Sequence, residues 1–418
     1  MSYAHTAVLL LAHGTPNALG EVPEYLRRVT GGRELSPQVV AELQHRYAQI
    51  GLGDQPNLER FAKWCEPGQR KKNAGILRFA QNDNSTLVNS HTGYALVGDQ
   101  QHLGDSASEQ LPPLTRWTQA QARQLQSALA DAGRPMPVYF AMRNWHPLIA
   151  DVVRRMRDAG VTRILALCLA PQSSSASTGL YRRDLMAAVE DASAQIPSAA
   201  NLAQKLSVDF VESWSQQPAL IDAFAQRLVA LYSKACADTV TSAAAAGEAA
   251  ALPVLFTAHS VPCRTILSPA PAQTSGLPQE EASGKSGGGE RTDASASDSY
   301  PVQAKRTAAL VYAAAARQLP ELGPWFFAFQ SQGVSAGPWL GPSVEETLSA
   351  LRRQGYTAVL LQPIGFLSDH VEILYDIDIA FAKYARQIGL RLLRSESLND
   401  SALLTEALLH VVQSRIHA

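Results

Sequence analysis

The chain is poor in several things that would have named a chemistry at once. It has four cysteines, Cys65, Cys168, Cys236 and Cys263, and they lie far apart. No C-x-x-C pair occurs, so neither a zinc site nor an iron–sulfur cluster is expected. Charged residues make up only 17% and nearly cancel, leaving a net charge of -1. That balance gives no electrostatic case for nucleic acid or for an anionic membrane surface. No basic-then-apolar leader precedes the first apolar run, and no stretch is apolar for the ~18 residues a membrane span needs. The expectation is a soluble cytoplasmic protein, with peripheral membrane contact left open. What the chain does have is length and apolar content: 418 residues, 46% hydrophobic. That suffices for two domains with substantial cores.

The chain is organised around 362–378, Gln-Pro-Ile-Gly-Phe-Leu-Ser-Asp-His-Val-Glu-Ile-Leu-Tyr-Asp-Ile-Asp. The apolar run 358–361 before it reads as a buried parallel strand, stopped by Pro363 and Gly365. A helix is expected from near Asp369. At about 100° per residue, Val371, Leu374, Ile377, Phe381, Ala385 and Ile388 share a core face. Asp369, Glu372 and Asp376 gather on the opposite stripe, where like charges repel unless water, a cation or a proton relieves them. The plain reading of that stripe is a solvated face, with Asp369 and Glu372 in a capping box. His370 beside the acids, at the carboxyl end of a buried strand, favours a site instead.

A repeat runs through the sequence. The run 7–12 ends in His13-Gly14-Thr15-Pro16, and 254–258 ends in His259-Ser260-Val261-Pro262. Three further pairs follow in the same order: 138–142 with 325–329, 152–169 with 347–362, and 208–214 with 390–397. A closing helix follows each half, 218–232 and 401–414. Strands alternating with helices give βαβ units and parallel sheets. The expected fold is α/β: two similar Rossmann-like domains, each a four-stranded parallel sheet flanked by helices. They span 1–236 and 252–418, with a cleft between their strand ends. Two stretches break the repeat, an insertion at 53–111 and a Ser/Gly/Ala/Pro-rich insertion at 267–299. The second has the composition of a disordered, dispensable linker.

His259 ends the first strand of the second half and Glu372 follows its third strand. In a doubly wound sheet these ends are neighbours, so imidazole and carboxylate can face each other. Such a pair suits a divalent transition metal or proton transfer. A lone strand-end histidine more often caps backbone groups; the acidic helix opposite His259 tips the reading toward a site. The loop 171–179, Pro-Gln-Ser-Ser-Ser-Ala-Ser-Thr-Gly, is hydroxyl-rich without the glycine spacing of a phosphate loop.

Five motifs in order, His13-Gly14-Thr15-Pro16, Thr257-Ala258-His259-Ser260-Val261-Pro262, Gln330-Ser331-Gln332-Gly333, Pro338-Trp339-Leu340-Gly341-Pro342, and Pro363-Ile364-Gly365-Phe366 leading into Asp369-His370-Val371-Glu372, resemble ferrochelatase. The resemblance covers nearly all of the chain outside the insertions and the linker between the halves. It implies two chelatase-type domains and insertion of ferrous iron into a porphyrin to make haem. Ferrous iron is then a substrate, and no cofactor is permanently bound. By the resemblance His259 and Glu372 form the metal and catalytic pair, supported by His370 and Asp369. His13, Arg33, Arg46, Tyr47, Tyr181 and Trp339 line the porphyrin site, and His13 falls where some relatives carry an axial-ligand tyrosine. Relatives that metallate coproporphyrin carry an arginine where this chain has Thr30 and a serine near Pro112, so protoporphyrin IX is the expected substrate and coproporphyrin III the alternative. The cysteine-rich tail of some relatives is absent. A related chelatase for cobalt or nickel, and a non-catalytic two-domain small-ligand binding protein, are the rival readings. Monomer and homodimer are both open.

Overall fold

The computed structural model describes residues 5–53, 111–194, 206–240, 252–267, 298–333 and 337–416. Apart from residues 53, 111, 267, 298 and 299, the two insertions lie outside the described residues, as does the linker at 243–251.

Among the described residues, eight strands form two all-parallel sheets. The first half carries β1 (Thr6–Ala12), β2 (Val138–Met142), β3 (Arg163–Cys168) and β4 (Ser207–Val211); the second carries β5 (Val254–His259), β6 (Trp325–Gln330), β7 (Ala358–Pro363) and β8 (Arg391–Arg394). Their orders are β2-β1-β3-β4 and β6-β5-β7-β8, the same topology twice. β1 and β5 are central and buried on both faces, which is why they read as unbroken apolar runs rather than alternating ones. From β1 the chain crosses to β2 on one side and later to β3 on the other. The carboxyl edge between β1 and β3 is therefore a topological switch point, and so is the edge between β5 and β7.

The halves share one apolar core. Leu125 and Leu129 of α3 (Pro113–Asp131), Phe224 and Leu228 of α6 (Pro218–Val240), Val311 of α8 (Tyr300–Ala316) and Leu408 of α12 (Ala402–Ile416) belong to a single buried cluster with the sheets. Hydrogen bonds cross the joint as well. Gln172 Nε2 donates to the Ile364 carbonyl at 3.2 Å, and the Ser173 amide to Gln303 Oε1 at 2.9 Å. This packing sets one switch point against the other.

Past β7 the structure departs from the regular helix expected there. An α-turn, α10 (Val371–Leu374), leads into a π-helical segment, Asp376–Phe381, and then into α11 (Ala382–Gln387). Wider turns of this kind break the 100° spacing. Ile373, Ile377, Phe381 and Ala385 pack on the sheet. Leu374 turns instead to a cluster with Val22, Tyr47 and Leu52 of the first half. The apolar side of this segment thus joins both halves.

Candidate active site

His13 directly follows β1, and His259 is the last residue of β5. Between the two strand ends lies a cavity of about 310 Å³ lined from both halves. His13, Tyr25, Tyr47 and Tyr181 form its first-half wall; His259, Trp339, Phe366, His370 and Glu372 face them.

At one side the Glu372 carboxylate bridges two imidazoles. Its Oε1 is 3.3 Å from His259 Nε2, and its Oε2 is 3.3 Å from His370 Nε2. Both rings are anchored on their other nitrogen. His259 Nδ1–H donates to the Ser260 carbonyl, and His370 Nδ1–H to the Ser368 carbonyl at 2.9 Å. Anchoring Nδ1 turns each Nε2 to the carboxylate. The backbone is pinned too: Tyr300 donates to the His259 carbonyl at 2.8 Å, and Gln330 Nε2 to the Glu372 carbonyl at 2.9 Å. The Phe366 ring lies against His370, with centroids 4.9 Å apart.

The electrostatics follow from burial and pairing. Burial pulls the His259 pKa down, but the Glu372 carboxylate outweighs it, leaving a value raised above the ordinary 6.5. Burial pushes Glu372 up, and the two imidazoles more than reverse this, holding it well below 4.5. His13 differs: its side chain opens onto the cavity, yet the enclosing walls bring its pKa to about 4, with the Glu372 charge opposing that shift. Neutral His13 fits its contacts. Asn144 Nδ2 donates to its Nε2 at 3.0 Å, and its Nδ1 lies 3.3 Å from the Gly14 carbonyl. Burial also raises the phenols of Tyr25 and Tyr47, the latter to about 12, so both remain neutral donors.

The acids expected on one stripe do not share it. Asp369 precedes the helix and faces away from the cavity. Its carboxylate accepts from Ser397 Oγ at 2.7 Å, Asn399 Nδ2 at 3.0 Å and Arg394 Nη1 at 3.4 Å. Arg394 also grips Asp378 with two bonds, 2.6 and 2.8 Å. The N-cap of α10 is His370, without a side-chain cap, so the capping-box reading of Asp369 and Glu372 fails. The solvated-face reading fails with it, since Asp369 and Asp376 are 7% and 8% exposed. Asp376 accepts from Ser331 Oγ at 2.6 Å and sits 3.6 Å from Arg46 Nη1. Burial, then the nearby Glu372, lift its pKa to about 6.

The structure therefore brings His13, Tyr47, Tyr181, Trp339, His259, His370 and Glu372 to one cavity. Three expected site residues are elsewhere. Asp369 belongs to the Arg394 cluster. Arg46 lies over the Tyr375 ring at 5.3 Å and pairs with Glu42 and Asp376, touching the helix of Glu372 rather than the cavity. Arg33 is exposed, its carbonyl accepting from Thr30 Oγ1 at 2.7 Å. Sequence reasoning missed Tyr25, Asn144 and Tyr300. Tyr25 sits in the amphipathic α1 (Val22–Val29), where an aromatic reads as ordinary core.

A ferrochelatase family model matches residues 100–416. The chain belongs to the ferrochelatase family. It is 39% identical to the ferrochelatase of Acidobacterium capsulatum, over 98% of this chain and 94% of that one. It is 31% identical to the ferrochelatase of Herpetosiphon aurantiacus, covering 98% of each. A coproporphyrin III ferrochelatase of Geobacillus thermodenitrificans is 26% identical over 83% of this chain and 97% of its own. The chain is thus a metal chelatase of haem synthesis. Among the described residues no helix is long and apolar enough to cross a membrane.

Proposed function

We propose that the chain inserts ferrous iron into protoporphyrin IX, with His259 as the proton acceptor and Glu372 as the group that pairs with it and guides iron. The observation carrying this reading is the Glu372 carboxylate bridging His259 and His370 on the wall of the inter-half cavity.

Metallation replaces two pyrrole N–H protons with one divalent cation, so a base must reach the macrocycle while iron loses its water. His259 Nε2 meets the first need: unprotonated it accepts a pyrrole proton, and Glu372 then stabilises the imidazolium. A single carboxylate and imidazole hold iron weakly enough to release it, where a closed four-ligand site would trap it. His13 approaches from the opposite wall and is neutral, so it adds no second cation against the incoming metal. The aromatic lining, Tyr25, Tyr47, Tyr181, Phe366 and Trp339, offers flat apolar surface to a macrocycle. Binding along those walls is the source of energy for bending it and exposing nitrogen lone pairs.

Thr30, where coproporphyrin-metallating relatives carry an arginine, supports protoporphyrin IX; the similarity to a coproporphyrin III ferrochelatase keeps that porphyrin as the second candidate. We propose a cytoplasmic enzyme that acts as a monomer or homodimer. The test is anaerobic turnover followed by absorbance, with ferrous iron against each porphyrin and with cobalt and nickel as alternative metals. Faster metallation of coproporphyrin III would overturn the substrate assignment. A preference for cobalt or nickel would overturn the metal.

A further inference from the structure

A buried amide of the first half reaches the loop on the His370 side of the site. Leu114 and Thr118 of α3 line the cavity. Gln121 continues the same helical face one turn further on. It is 1% exposed. Its Nε2 donates to Ser368 Oγ at 2.8 Å and to the Asn399 carbonyl at 2.6 Å. The Asn399 carbonyl is a pure acceptor, which settles which end of the amide points there.

Both acceptors belong to the loop system that carries His370. Asn399 holds a left-handed backbone, φ 47. Its amide donates to the Leu367 carbonyl at 2.8 Å. Its side chain forms a reciprocal pair with Asp369, receiving the Asp369 amide at 2.9 Å and donating to Asp369 Oδ2 at 3.0 Å. Gln121 therefore grips residues 367–369 twice, directly through Ser368 and indirectly through Asn399. The same Ser368 presents the carbonyl that anchors His370 Nδ1–H.

We propose that Gln121 is a positioning residue: from the opposite half it fixes the Ser368 carbonyl, and so holds the His370 ring with Nδ1 on that carbonyl and Nε2 turned to Glu372. The partner of one ring nitrogen fixes where the other points. Without the Gln121 bonds the loop is still held at Leu367 and Asp369 by Asn399, Ser397 and Arg394, but Ser368 loses its tie to the first half. The ring then gains freedom to turn, and Glu372 loses the fixed position of one of its two imidazole neighbours. Gln121 reaches no substrate and is not a catalytic residue. Its effect on rate rests on the chelatase reading above; its effect on the imidazole does not.

Two variants test this on the full chain: Gln121→Met, which keeps length and removes the donor, and Ser368→Ala, which removes the direct acceptor. The first readout is nitrogen-15 NMR of histidine-labelled protein, with His370 assigned from His370→Gln. The proposal expects the His370 signals to move away from the Nδ1–H pattern in both variants. The second is metallation kinetics: kcat about tenfold lower, in the range seen when partners behind a ligating side chain are lost, with the porphyrin KM within twofold. In a His370→Gln background the Gln121→Met change should cost no further rate. If Gln121→Met does not fold, Ser368→Ala is read by the same measurements. Unchanged His370 signals in a folded variant, or rate losses that multiply in the double variant, overturn the proposal. Wild-type protein that metallates nothing sinks the chelatase reading alone, and the NMR result still decides the role of Gln121.

Discussion

His259 and Glu372 meet 3.3 Å apart where β5 ends and α10 begins. Each moves the other's titration. The carboxylate lifts His259 above 6.5 against its burial, and the imidazoles draw Glu372 well below 4.5 against its own. A histidine with a raised folded pKa stabilises below its unfolded value and loses that contribution as pH rises through the folded one. A carboxylate with a depressed pKa stabilises above its unfolded value and loses that as pH falls. The two windows overlap between about pH 4.5 and 6.5, using ordinary unfolded values.

Glu372→Gln should therefore lose stability mainly inside that window and little above the folded pKa of His259. Its turnover should fall at every pH. In the wild type, kcat/KM should drop as His259 gains a proton, with a midpoint above 6.5. In Glu372→Gln that midpoint should shift down, because the group that lifted it is gone. Urea unfolding at pH 5.5 and 8.5, with a pH–rate profile on the same preparations, checks both. Loss of stability without loss of rate would return Glu372 to a purely structural role.

His259→Ala should bind porphyrin and metallate it about 10²–10⁴-fold more slowly, the usual cost of losing a positioned base. His13→Ala should cost less than about tenfold and leave the midpoint of the rate profile nearly unmoved. His13 also has a signature in stability. Its pKa is depressed from 6.5 to about 4, so unfolding takes up a proton between those values. Stability from this group is lost as pH falls through that range, and His13→Ala should flatten the decline. A collapse of rate in His13→Ala with near-normal His259→Ala would move the base to the first half.

Much of this was legible in the sequence because parallel strands buried on both faces must be apolar runs and must be joined by helices. That constraint appears twice, so the repeat exposed both sheets and put His259 and Glu372 at one edge. Asp369 shows where such reading stops. Its spacing from Glu372 implies a shared stripe only if the helix is regular and begins at Asp369. The helix begins at Val371, and Asp369 is claimed by Arg394 at the end of β8 and by Ser397 and Asn399 beyond it. Contacts that depend on how loops of distant elements meet leave no period to read. Gln121 and Tyr25 were hidden for the same reason.

Arg394→Met should destabilise without touching the cavity. Arg394 is the cation paired with both Asp378 and Asp369, whose side chains are 22% and 10% exposed. Removing it leaves Asp378 without its cation in partly dry surroundings and Asp369 with its Ser397 and Asn399 donors, a loss of about 3 kcal/mol. The deficit should shrink as pH falls and Asp378, whose pKa burial raises, takes up a proton, since its neutral form needs no cation. Chemical unfolding at pH 7 and pH 5 reads this directly. An equal deficit at both values would mean that packing of the arginine stem, and not charge, is what was lost.

Gly14→Ala should weaken the first-half wall through the backbone. Gly14 holds φ +93, a conformation that costs an L side chain about 1–2 kcal/mol. Space is short as well. An added Cβ would lie 2.9 Å from the Trp145 backbone nitrogen and 3.2 Å from Met142 Cβ, inside normal contact. Neither neighbour yields easily, because Met142 ends β2 and the Asn144 amide donates to the His13 carbonyl at 3.0 Å. The loop must therefore shift at His13, carrying off the Asn144 bond to its ring and the Tyr25 bond to the Gly14 carbonyl. The expected result is lower thermal stability and weaker porphyrin binding, with the pH midpoint set by His259 unchanged. Porphyrin affinity measured by fluorescence quenching, beside a pH–rate profile, separates the two walls. A shifted midpoint would show that His13 and His259 titrate as one unit.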